Sequence, residues 1–163
     1  MTTPNLTYRQ QIQPSDLDAI ARIVKSSGFF SAAEVNLAVE LANEKLTDRD
    51  ANSYQFLFAE DKDMVWGYTC FGLIPATAGS YDLYWIAVDH HLRVRGTGTQ
   101  LMKQSEDIIR SLGGKHIYAE TSSRHQYRTT HRFYERCGYI QEALLKDFYA
   151  EGDSKVIYSK AFK

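Results

Sequence analysis

The segment Arg93-Val94-Arg95-Gly96-Thr97-Gly98-Thr99 gathers residue types suited to gripping an anion. Gly96 and Gly98 let the backbone curl with its N–H groups turned inward, Arg93 and Arg95 supply positive charge, and the Thr97 and Thr99 hydroxyls add donors. A helical pattern opens at Thr97, and the first N–H groups of a helix have no partner within it while its dipole is positive there. A phosphate ligand suits all of these groups. Two familiar ways of binding one do not fit the spacing. A P-loop needs a Gly-Lys-Ser/Thr ending, and a dinucleotide fingerprint needs a third glycine where Leu101 stands, in a first strand-helix-strand unit rather than mid-chain.

Other clusters carry less. His90 and His91 are adjacent in a polar turn without a third ligand nearby, which fits a solvated pair better than a metal centre. Cys70 and Cys137 are far apart with apolar flanks, neither a disulfide framework nor metal-ligand spacing, and they point to a reducing, cytoplasmic setting. Arg124, His125, Arg128, His131, Arg132 and Arg136 form a basic cluster that fits a nucleic-acid face, an anion-attracting patch or a solvated surface. The formal charge of −1, from 19 Lys+Arg against 20 Asp+Glu, argues against nucleic acid as a partner, so a polyanion must be held locally. No signal peptide or apolar run of membrane-spanning length is visible, which excludes a membrane partner from the reading.

These residues must be positioned by one domain over 1–163, because 44% hydrophobic content suffices for a core and no linker, repeat or low-complexity tract divides the chain. A first strand lies around Tyr8 to Ile12. A helix follows, with Ser15 and Asp18 in capping-box-like spacing and Leu17, Ile20, Ile23 and Val24 inward; a second opens at Ser31 and Glu34 and turns Val35, Val39, Ala42 and Leu46 to the core. "YQFLFAE" and "MVWGYTCFGLI" read as an antiparallel hairpin about Asp61, Lys62 and Asp63, and "YDLYWIAV" as a further, central strand. A helix from Thr97 to Leu112 and the strand "KHIYAET" imply a parallel crossover. A last helix over Tyr127 to Arg136 precedes the strands "YIQEALL" and "KVIYSKAF", joined by a loop containing "KDFYAEGDS". The class is α/β (α+β), in the order β-α-α-β-β-β-α-β-α-β-β, with about six to seven strands in a mixed sheet flanked by four helices.

"VDHHLRVRGTGTQLM" resembles the acetyl-coenzyme A signature of the GNAT (GCN5-related N-acetyltransferase) superfamily, Arg/Gln-x-x-Gly-x-Gly/Ala, through Arg93, Gly96 and Gly98. "HRFYERCGY" is similar to the later family motif, a Phe-Tyr pair on a helix followed by Gly and an aromatic; Tyr127 and Thr130 stand where the family often has Asn and Ala. The order of elements agrees over most of the chain. The resemblance implies an acyl-CoA-dependent N-acyltransferase. It would transfer acetyl from acetyl-CoA to a primary amine by direct attack in a ternary complex, releasing coenzyme A and using no metal.

The resemblance also implies residue roles. Backbone groups of Ile86, Ala87 and Val88 would hold the pantetheine arm where the sheet splays after Val88, Arg93 to Thr99 would hold the pyrophosphate, and Tyr127, Phe133 and Tyr134 would line the coenzyme. Tyr134 would donate a proton to the leaving thiolate, or else be a core residue beside Phe133. Asp82 matches the strand glutamate of GCN5-type enzymes and Glu120 that of RimI-type enzymes; either, or a chain of waters, would serve as base, with Glu120 ranked first. Phe29, Phe30, Tyr84, Phe148 and Tyr149 are candidates for the acceptor pocket or lids on the core, with Asp147 and Glu151 able to attract a cation. The acceptor is an amine-bearing small molecule or a protein or peptide. A homodimer through an edge strand and a non-catalytic acyl-CoA-binding regulator or sensor both stay open.

Overall fold

In the computed structural model, which describes residues 4–48, 54–92 and 94–163, the elements follow the order expected from sequence. They are β1 (Thr7–Arg9), α1 (Asp16–Ser26), α2 (Ala32–Thr47), β2 (Gln55–Asp61), β3 (Met64–Leu73), β4 (Ser80–Val88), α3 (Thr97–Ser111), β5 (His116–Ser122), α4 (Arg128–Arg136), β6 (Ile140–Ala150) and β7 (Asp153–Ala161). A 3-10 turn, His125–Tyr127, leads into α4. The mixed sheet has seven strands in the hydrogen-bonded order β1-β2-β3-β4-β5-β7-β6. Among the described residues no helix is long and apolar enough to cross a membrane. The chain forms two compact units, Met1–Gly72 with Trp85–Ser105, and Leu73–Tyr84 with Glu106–Lys163, so β4 and α3 each run from one into the other.

In the first unit β1, β2 and β3 are antiparallel, and the β2–β3 hairpin turns on Lys62 and Asp63, both at positive φ (49° and 68°), the geometry of a type I′ turn. Apolar residues one helical turn apart on α1 (Ile20, Ile23, Val24) and α2 (Val35, Ala38, Ala42) are buried in a cluster with Phe56, Phe58, Val65 and Tyr68. Ser31 and Glu34 form the expected capping box, each side chain meeting the other's backbone N–H. Ser15 departs from expectation: its backbone is helical and its side chain makes no cap. Asp16, the first residue of α1, accepts the Gln13 N–H at 2.7 Å while Arg9 of β1 grips both carboxylate oxygens.

In the second unit the start of β4 runs parallel to β5, β5 pairs antiparallel with β7, and β7 with β6. The two closing strands are longer than the sequence implies. "KDFYA", expected in a loop, is the distal part of β6, and the hairpin closes at Ala150 and Asp153. Asp147 makes this workable: at φ 53° it takes up the register shift between Leu145 and Ala150, donates its N–H to Ser154 Oγ (3.1 Å) and accepts the Gly152 N–H (2.9 Å).

Candidate active site

The candidate anion turn lies in the first unit, and hydrogen bonds and an ion pair hold the residues that precede it. Asp89, buried just beyond the end of β4, donates its N–H to Trp66 O (2.7 Å), pairs with Arg22 of α1, and accepts the His91 N–H on Oδ1 (2.9 Å). Its carbonyl accepts the Leu92 N–H (3.0 Å), and the His90 N–H donates to Ser26 Oγ (3.0 Å). His90 and His91 thus contribute main chain to the turn while their side chains are exposed. Gly67 of β3 completes the base of the site. A Cβ there would lie 3.0 Å from Leu101 Cδ1, 3.1 Å from Ala87 O and 3.3 Å from Val88 Cγ2, so glycine lets β3 pack directly under the strand end and under α3.

Gly96 sits at φ 84° with open space where a Cβ would be, and its carbonyl accepts the Gln100 N–H at 2.9 Å, the opening bond of α3. The N–H groups of Thr97, Gly98 and Thr99 therefore fall in the first turn, where a helix offers no acceptor. Arg95 and Thr99 are exposed beside them and Val94 is half-buried. Thr97 departs from expectation: its hydroxyl donates to Val94 O (3.1 Å) and is buried, so it closes the turn rather than facing a ligand. Arg93 lies outside the described residues. Ile86, Ala87 and Val88 are half-buried.

The other candidates belong to the second unit. The parallel ladder of β4 and β5 runs from Ser80 and His116 to Leu83 and Ala119, so Tyr84 and Glu120 lie past its last pair. On β5, alternate residues serve opposite faces. Ala119 pairs with Tyr158, whose ring lies 5.4 Å from Tyr134 and 5.8 Å from His131 of α4. Glu120, one residue on, points to the opposite face. There it meets Lys155 of β7 at 2.6 Å. Asp82, paired with Tyr118 two residues earlier, shares that face. Burial first, then the charge of Glu120, pushes the Asp82 carboxyl above the usual range, with Lys155 opposing.

Tyr134 is buried among Phe133, Tyr139 and Tyr158 at centroid distances of 5.7, 5.7 and 5.4 Å. Burial, with smaller contributions from Cys137 and Tyr158, raises its phenol above the ordinary value, so the hydroxyl keeps its proton at neutral pH. Gly138, at φ 88°, ends the helix by donating its N–H to Glu135 O, and the Tyr139 N–H returns to Tyr134 O (both 3.0 Å). Tyr127 is buried under the Arg124 guanidinium. Of the acceptor candidates, Phe30 packs edge-on against Trp85 at 5.0 Å on the border of the core, whereas Phe29 is exposed. Tyr84, Phe148 and Tyr149 are exposed, the last two with rings 5.1 Å apart on β6 rather than in a loop.

The chain matches the model of the acetyltransferase (GNAT) family over residues 18–139. It belongs to that family. Among solved structures, a protein from Desulfovibrio desulfuricans assigned to the GNAT acetyltransferases is 43% identical, over 96% of this chain and 99% of that one, with a TM-score of 0.93. The fold is shared at lower identity by the ribosomal-protein-S18-alanine N-acetyltransferase of Escherichia coli (15% identity, 96% and 94% covered, TM-score 0.76). It is shared too by the PaiA N-acetyltransferase of Thermoplasma acidophilum in complex with coenzyme A (16%, 97% and 99%, TM-score 0.75). No curated protein matches. This GNAT chain also depends on residues that sequence reasoning passed over: Arg22, Gly67 and Asp89 brace the turn, and Lys155 meets Glu120. A glycine inside a strand pattern was a visible signal for Gly67; the ion pairs join distant segments and leave no local trace.

Proposed function

We propose that this acetyltransferase moves an acetyl group from acetyl-CoA to a primary amine by direct attack within a ternary complex, and that its two compact units, both traversed by the family match, work as one catalytic domain. The observation that carries the reading is the Gly96 turn, with the N–H groups of Thr97, Gly98 and Thr99 at the start of α3. Such a helix start suits a pyrophosphate, with Arg95 and Arg93 adding charge. Main-chain groups of Ile86 to Val88 take the role of hydrogen-bonding the pantetheine arm and polarising the thioester carbonyl. The coenzyme supplies the activated acyl group.

Glu120 acts as the base that takes the ammonium proton, and Asp82 holds the incoming ammonium beside it. Tyr134 donates to the departing thiolate from the opposite face of the sheet, and its raised pKa keeps the donor protonated. The nitrogen loses a proton as it bonds to the carbonyl carbon and the sulfur gains one as it leaves, so the base and the acid are separate groups. Phe148 and Tyr149, with Tyr84, offer aromatic surface to a cationic acceptor. The test is thiol release from acetyl-CoA with a panel of amines, peptides and polyamines. Turnover with at least one primary amine is expected, and coenzyme binding without turnover on any acceptor would sink the catalytic reading in favour of a sensor.

A further inference from the structure

Lys155 is a charged side chain that the proposed transfer leaves without a task. Its stem is 12% exposed, and its Nζ lies 2.6 Å from Glu120 Oε2, 3.8 Å from the centre of the Phe148 ring and 5.9 Å from that of Tyr149. Register explains the convergence. Lys155 stands opposite Ser122 and Ile157 opposite Glu120, so the two charged residues share a face, while β6, shifted beyond Leu145, brings its aromatic pair over them. The amine that the candidate base touches is therefore one of the chain's own.

We propose that Lys155 is a self-acetylation site, its Nζ accepting an acetyl group from acetyl-CoA with Glu120 as base. This rests on the role given to Glu120 above. Glu120 takes a proton from the ammonium, and the freed lone pair attacks the thioester carbonyl carbon. The C–N bond forms, the C–S bond breaks with its electron pair on sulfur, and the thiolate takes a proton from Tyr134 or water. The products are Nε-acetyl-Lys155 and coenzyme A, and nothing else is consumed. The ammonium is already held against Glu120 and the Phe148 ring, so self-transfer is slower than transfer to a small external amine. Acetylation removes the positive charge, so Lys155 no longer competes with an external ammonium for Glu120, and the first transfer opens the site to later ones.

The experiment incubates the full chain, first treated with a lysine deacetylase, with acetyl-CoA and no external amine, and follows intact mass and peptide maps with time. One acetyl group per chain at Lys155 is expected, and it is lost in Lys155→Arg and in Glu120→Gln. A parallel thiol-release assay with external amines separates the two readings. Lys155 left unmodified by a preparation that acetylates external amines overturns the self-acetylation and leaves the enzyme reading intact. Equal labelling of Lys155 in Glu120→Gln or in heat-unfolded chain also overturns it, as uncatalysed chemistry. No transfer to Lys155 or to any amine overturns both.

Discussion

Replacing Gly67 by alanine tests how the strand end is held without substituting any residue assigned to the coenzyme. The added Cβ would meet Leu101 Cδ1 at 3.0 Å, Ala87 O at 3.1 Å and Val88 Cγ2 at 3.3 Å, all inside ordinary van der Waals separation. The Leu101 methyl can rotate away. The Ala87 carbonyl cannot move without its strand, and a few tenths of an ångström there displaces main chain assigned to the pantetheine arm. Overpacking of a tight core costs about 1–3 kcal/mol, and the lower entropy of an unfolded chain carrying Ala returns about 0.4–1 kcal/mol. A net loss of up to about 2.6 kcal/mol follows, about 1.3 at the middle of both ranges, which at about 2–4 °C per kcal/mol for a chain of this size lowers Tm by a few degrees. Thermal unfolding measures that loss, and calorimetric titration with coenzyme A should show weaker binding in the same variant. Unchanged Tm together with unchanged coenzyme affinity would refute the argument that Gly67 sets the position of Ala87 and Val88.

Tyr134→Phe should lower kcat by about 100-fold or more, the ordinary scale for a lost proton donor, with the Kd for coenzyme A nearly unchanged; a purely structural Tyr134 would instead lower Tm with little effect on kcat. Asp82 has a raised folded-state pKa, so its protonated form favours the folded chain, a contribution that is present below the unfolded pKa and lost as pH rises through the folded one. Asp82→Asn should therefore gain stability over wild type at neutral pH, and denaturation curves should show the gain shrinking as pH falls through the carboxylate range. Lys160 donates to both oxygens of buried Glu106 (3.0 and 2.9 Å) and to Cys137 O (2.8 Å). Lys160→Met leaves that carboxylate short of its closest cation and should cost about 3–5 kcal/mol, read by urea unfolding.

What was legible in the sequence was what local chemistry decides. Ser31 and Glu34 announce a helix start because both halves of the box lie within one turn, and Gly96 announces the turn into α3 because its φ of 84° restricts the residue types there. Ser15 fits a cap by residue type, but its backbone is already helical, which a local spacing rule does not reveal. The "KDFYA" stretch read as a loop since Asp147 and the following glycine are turn formers; β7 pairing carried the strand past them through a bulge. Within the site, the turn and the Phe-Tyr helix were visible as motifs. The brace of Arg22 and Asp89, and Lys155 against Glu120, exist only once strands far apart in sequence are set side by side.

The most direct measurement is calorimetric titration of the folded chain with coenzyme A, alongside Gly96→Val, whose side chain has room but whose backbone at φ 84° strongly disfavours a β-branched residue. Saturable heat in the wild type, abolished or greatly weakened in the variant while the variant still unfolds cooperatively at a somewhat lower Tm, is the result predicted. No heat in the wild type, or equal affinity in both proteins, would contradict a pyrophosphate held at the start of α3.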